Sequence, residues 1–94
     1  MTGENLLKHA KNIFRKRRSE YGEAREGFES VAKRWSLVLG QEVTPEQVVL
    51  CMVELKLTRL SGNPHHLDSM TDLAGYAAVL SELVPNQQGL FDER

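Results

Sequence analysis

The stretch from Thr44 to Pro85 limits the fold of this chain more than any other, because it reads as a helical hairpin with its own punctuation. Thr44 stands where an N-cap belongs, Pro45 where the first helical residue belongs, and Gln47 completes a capping box. A helix opened there runs to about Leu60 before Ser61-Gly62 and the Asn63-Pro64 turn stop it. A second helix starts near Asp68 or Ser69 and ends near Val84, with Pro85-Asn86 as its breaker. Its apolar stripe passes from Leu67 through Met70, Leu73, Ala74 and Ala77 to Leu80 and Val84. So short a link makes the two helices antiparallel neighbours.

Two further helices precede the hairpin. The first spans about Glu4 to Arg18, with Leu6, Leu7, Ala10, Ile13 and Phe14 on one face. The second runs from about Ala24 to Leu39, where Phe28, Val31, Ala32, Trp35, Val38 and Leu39 keep helical spacing and Gly40 supplies a left-handed stop. No strand pattern or internal repeat is present. The expected fold is therefore all-α, a four-helix bundle-like single domain over residues 1–85 with a central antiparallel helical hairpin and a frayed tail at 86–94. The third helix carries Val48, Val49, Leu50, Met52, Val53, Leu55, Leu57 and Leu60, which cannot share one stripe. It should be the central helix, and in so small a chain a second protomer should cover what remains, making a homo-oligomer.

Composition removes several classes of function. The chain is 40% hydrophobic and 27% charged, which is globular, and its formal net charge of −1 gives no general attraction to nucleic acid or to an anionic membrane. Its one cysteine, Cys51, has apolar neighbours and reads as a packing residue in a reducing compartment. The N-terminus lacks the apolar core of a signal peptide. The longest apolar run, Val48 to Val53, is far below the ~20 residues of a membrane span, so the cytoplasm is the expected location. There is no Gly-rich phosphate loop and no nucleophile constellation. His65 and His66, being adjacent, point in different directions and read as loop or capping residues instead of metal ligands. A helix-turn-helix is excluded because the would-be recognition helix, Val48 to Val53, is too apolar to face a groove.

The charged residues of the hairpin form the candidate site. Lys56 and Arg59 occupy neighbouring positions on one helix, and Asp68 and Asp72 on the other. Folding one helix back on the other about Asn63-Pro64 brings Lys56 level with Asp72 and Arg59 near Asp68 and Ser69. Such a set serves equally as a structural ion-pair cluster or as a polar site offering Lys56 and Arg59 to phosphate. Asp68 also suits a helix N-terminus, where the dipole favours an anion. Gly75, which costs about 1 kcal/mol inside a helix, points first to close helix packing. At the end of the first helix Lys8, Lys11, Arg15, Lys16, Arg17 and Arg18 form a solvated face or an anion-binding rim, partly offset by Glu20, Glu23, Glu26 and Glu29. The tail segment Gln87-Gln88-Gly89-Leu90-Phe91 looks like the Gln-x-x-Leu-Phe peptides that dock on bacterial sliding clamps, or else packs on its own bundle.

Three segments of the hairpin, Lys56 to Leu60, Gly62 to Asp68 and Asp72 to Ala77, carry a family resemblance. With Tyr21-Gly22 and the segment Phe28 to Trp35, the pattern resembles a group of small phage and prophage proteins known only as a domain of unknown function, over about residues 13–84. The resemblance implies a phage or prophage origin and brings no activity with it. More distantly, the Asp72-to-Ala77 helix is similar to the last helix of MazG-type all-α nucleotide pyrophosphohydrolases and to phage nucleotide-modification-associated domains. Those hydrolases hold magnesium with E-x-x-E and E-x-x-D pairs. Here Glu54 is followed by cationic Lys56 and Arg59, Asp68 and Asp72 are four apart, and Glu20 and Glu23 flank Tyr21-Gly22 in an expected loop. That departure weighs against hydrolysis, and magnesium is expected only if hydrolysis occurs. The expected function is a phage-type nucleotide- or phosphate-ligand-binding protein, for example one that sequesters a nucleotide signal. Lys56 and Arg59 would meet phosphate, Tyr76 or Tyr21 would stack on a base, Asp72 would orient Lys56, and Asp68 would complete the site. A divergent pyrophosphohydrolase and a non-enzymatic host-interaction protein are the alternatives.

Overall fold

The caps written in the sequence set the helix boundaries. In the structure, a computed structural model that describes residues 1–84, four helices follow one another: α1 (Gly3–Tyr21), α2 (Ala24–Leu39), α3 (Pro45–Gly62) and α4 (Leu67–Leu83). The α3 capping box forms in both directions: the Gln47 N–H donates to Thr44 Oγ1 at 3.1 Å, and the Thr44 N–H donates to Gln47 Oε1 at 2.9 Å. Gly40 closes α2 at φ 70°, and its N–H donates to the Ser36 carbonyl. Ser36 Oγ then accepts from the Val43 N–H at 2.8 Å and stitches the α2–α3 link to α2. The expected all-α fold holds, and no strand occurs among the described residues. The proposed tail and its clamp-like Gln87-to-Phe91 peptide lie outside the described residues.

Two boundaries differ from expectation. α1 runs past Arg18 to Tyr21 and stops at Gly22, whose φ of 82° suits only glycine. Glu20 is therefore helical instead of lying in a loop. α4 begins at Leu67, one residue before Asp68 and two before Ser69, because His66 is its N-cap: the Ser69 N–H donates to His66 Nδ1 at 3.3 Å, and Ser69 Oγ lies 2.8 Å from the same nitrogen. The capping role expected of the histidine pair falls to His66, and Asp68 sits in the first turn without being the cap.

The expectation that α3 is central is corrected. α4 and α2 each pack against the three other helices, α4 the more extensively, while α3 touches only α2 and α4. The inner seam of α4 runs through Ser69, Asp72, Tyr76, Val79 and Leu83, a 3-4-3-4 spacing. The stripe expected from hydropathy, with Leu67 and Ala77 in it, leaves both of those residues exposed. The inner seam escaped a hydropathy reading because its first half is polar, which is tolerable once Ser69 pairs with His66 and Asp72 with Lys56. The apolar end packs as Val49, Val79 and Leu83, with Phe14, Phe28 and Tyr76 against them. Outside this core the chain is sparsely covered. Val38 is 84% exposed and Leu7 and Leu39 are exposed, contrary to the stripes expected for them. Cys51 is exposed as well, so it is not the packing residue its neighbours suggested.

Candidate functional site

Helices α1, α2 and α4 diverge around a cavity of about 330 Å³, within the roughly 300–1,000 Å³ range of small-molecule sites. Its wall is mostly apolar, with Ile13 and Phe14 from α1, Phe28 and Val31 from α2, and Tyr76 and Val79 from α4. Phe28 and Tyr76 meet edge to face, ring centroids 6.4 Å apart at 78°. The cavity exists because two helices present no side chain to it: Gly27 of α2 and Gly75 of α4 both line it, and a Cβ built on either meets nothing within 4 Å. The tight packing expected at Gly75 is thus corrected. That glycine leaves a space open instead of admitting a neighbouring backbone.

Polar groups gather at two places. At the mouth stand Arg17, Arg18, Tyr21 and Glu23, all exposed, where α1 ends and α2 begins. The Arg18 guanidinium lies 5.8 Å above the centroid of Phe14, which fixes it against the aromatic wall. Glu23 caps α2 without a side-chain hydrogen bond, so the first N–H groups of α2 remain available to an anion at this mouth. The arginines outnumber the one carboxylate there. Deeper in, α4 contributes buried Thr71 and half-buried Asp72. Asp72 Oδ2 accepts from Lys56 Nζ at 2.9 Å, and Lys56 itself is 8% exposed. A lysine so deeply placed is tolerable because its charge is matched, and the pair in turn locks the orientation of the Asp72 carboxylate.

The structure divides the six candidate residues. Asp72, Tyr76 and Tyr21 line the cavity. Lys56 stands behind it, engaged with Asp72 as the fold-back of the hairpin implied. Arg59 and Asp68 are exposed, line no part of the cavity, and make no ion pair with each other among the described residues. The residues missed as a site are Phe14, Phe28, Gly27 and Thr71. The signal for them lay in two helical glycines, Gly75 inside α4, unfavourable there by about 1 kcal/mol, and Gly27 in the first turn of α2. No three His, Cys, Asp or Glu side chains gather as a metal site among the described residues. No helix among them is long and apolar enough to cross a membrane.

Comparison with known proteins adds a family and no activity. Residues 5–84 match the family described as a domain of unknown function, DUF6378. The Gene 55 protein of Mycobacterium phage L5 is 38% identical over 81 residues, which is 84% of this chain and 52% of that protein. The Gene 55 protein of Mycobacterium phage D29 is 33% identical over 81 residues, 85% of this chain and 54% of that protein. The chain therefore spans about half the length of the curated relatives it matches. No solved structure matches it. The chain belongs to the DUF6378 family, a domain of unknown function, and these two relatives are phage proteins.

Proposed function

We propose that this DUF6378 member binds a nucleotide, with the base in the α1–α2–α4 cavity and the phosphates at the Arg17–Arg18 mouth. One observation carries the proposal: a concave, aromatic-walled space has two guanidinium groups at its entrance and a fixed carboxylate inside. A flat heteroaromatic ring gains from Phe28 and Tyr76, and a phosphate gains charge-assisted hydrogen bonds from arginine. Tyr21 and Tyr76 keep the stacking roles expected of them. The phosphate role passes from Lys56, which is committed to Asp72, and from Arg59, which is remote from the cavity, to Arg17 and Arg18.

Binding without turnover, as in a protein that sequesters a nucleotide, fits the donor set better than hydrolysis. The carboxylates at the cavity are Glu23 and Asp72, and Asp72 is neutralised by Lys56. Calorimetric titration against linear and cyclic nucleotides tests the proposal, and absence of heat with all of them overturns it. Release of phosphate or pyrophosphate from nucleoside triphosphates with magnesium would instead establish the pyrophosphohydrolase. The proposal also includes self-association through the outer face of α3, where Leu50 and Leu57 are 51% and 45% exposed. Light scattering that finds only a monomer overturns that part alone.

A further inference from the structure

We infer that the cavity selects guanine over the other bases, through an edge made by the Asp72 carboxylate and the Thr71 hydroxyl. The inference rests on the nucleotide-binding reading and concerns only which base is accepted. An ionised carboxylate offers acceptors alone, and in a largely apolar cavity it must be met by donors. Lys56 supplies one, to Oδ2 at 2.9 Å. Among the described residues no other hydrogen bond or ion pair engages Asp72, whose side chain is 24% exposed and which lines the cavity. No side-chain polar atom among the described residues is both fully buried and without a partner. The Asp72 oxygen that Lys56 does not engage is therefore not fully buried, and Asp72 lines the cavity.

The hydrogen-bonding edges of the bases differ in what they bring to such a group. Guanine presents two adjacent donors, N1–H and the 2-amino group, with the O6 acceptor beside them. Adenine and cytosine each present one amino donor next to an unprotonated ring nitrogen, whose lone pair faces a carboxylate unfavourably. Uracil presents one N–H between two carbonyls. Only guanine of these four gives Asp72 two donors together, and Thr71, on the same wall, can donate its hydroxyl proton to O6. Lys56 is a positioning residue here: it does not line the cavity and acts by holding the Asp72 carboxylate in one orientation.

The test is a titration of the whole chain with the 5′-diphosphates of guanosine, inosine, adenosine, cytidine and uridine. Guanosine diphosphate should bind most tightly. Inosine diphosphate, which lacks the 2-amino group, should bind at least about tenfold more weakly, the scale of one hydrogen bond to a charged group. Asp72→Asn replaces two acceptors by one acceptor and one donor, which matches xanthine, whose N1–H lies beside a 2-carbonyl. The variant should lose guanosine diphosphate by at least about tenfold and prefer xanthosine diphosphate. A merely structural Asp72 would not exchange one base for another. Equal affinity across the series, preference for another base, or no binding by any of these diphosphates overturns the guanine inference. Only silence across the wider panel of linear and cyclic nucleotides also overturns the nucleotide reading.

Discussion

The α1–α2–α4 cavity and the outer face of α3 are both uncovered apolar surfaces of one short chain, yet they are built differently. The cavity is concave, left open at Gly27 and Gly75, bordered by Arg17 and Arg18, and lined by Asp72, which Lys56 holds from behind. The α3 face is convex and carries Leu50 and Leu57 seven residues apart, with Val53 and Leu60 half-buried beside them and no ion pair among the described residues. Apolar exposure by itself therefore does not distinguish a ligand site from an association surface. Shape and fixed polar groups do: a small ligand needs directional partners inside a recess, whereas a helix face needs only area.

The largest expected effect comes from closing the recess. Gly75→Leu places a side chain in space that is now empty, in a helix interior where glycine is unfavourable. Nucleotide affinity should fall by more than about 100-fold, the equivalent of about 2.7 kcal/mol, while thermal stability holds or rises by up to about 1 kcal/mol. Calorimetry and a melting curve on the same sample measure both, and undiminished affinity would move the site elsewhere. The next effect is on stability. Lys56→Met strands the Asp72 carboxylate and should cost about 2 kcal/mol in urea unfolding, below the roughly 3–5 kcal/mol of fully buried pairs because Asp72 keeps some exposure. A value near zero would mean that the pair does not hold α3 to α4. Smaller again is the loss at the mouth. Arg17→Ala and Arg18→Ala should each weaken nucleotide binding by about tenfold, more at low salt than at high salt. Arg18→Ala should also lower stability by about 0.5–1 kcal/mol through its lost contact with Phe14, and Arg17→Ala should not.

How much of this was legible in the sequence follows from the range of each interaction. Helix boundaries depend on neighbours in the chain, so Thr44, Pro45, Gln47 and Gly40 announced themselves. The Lys56–Asp72 pair was also legible, because a short turn converts helical spacing directly into register across a hairpin. The central position of α4 was not. Hydropathy marks a helix as inner by its apolar residues, and the inner seam of α4 begins with Ser69 and Asp72, whose burial depends on partners on other segments. The cavity was hidden for the same reason in reverse. Phe14 and Phe28 have the spacing of core residues, and only the three-dimensional separation of α1, α2 and α4 reveals that they border a space. Gly75 was noticed, but a glycine that admits a backbone and one that leaves a void look identical in one dimension.

The smallest expected effect separates the two surfaces most cleanly. Leu50→Ser combined with Leu57→Glu changes two side chains that are already half in water. Stability of the dilute chain should therefore move by less than about 0.5 kcal/mol, as for ordinary surface substitutions. Nucleotide affinity should be unaltered, since neither residue lines the cavity. Self-association should be lost, because both exposed leucines of that face are removed and a second carboxylate is set one turn from exposed Glu54, where like charges repel. Equilibrium sedimentation of the wild-type and double variant, with denaturant melts at low concentration, reads all three quantities. A loss of more than about 1 kcal/mol in the dilute variant would mean that Leu50 and Leu57 are packed within their own chain. An unchanged assembly would mean that the copies meet elsewhere. Only the combination of unaltered fold, unaltered affinity and lost association assigns the recess to ligand and the α3 face to a second copy.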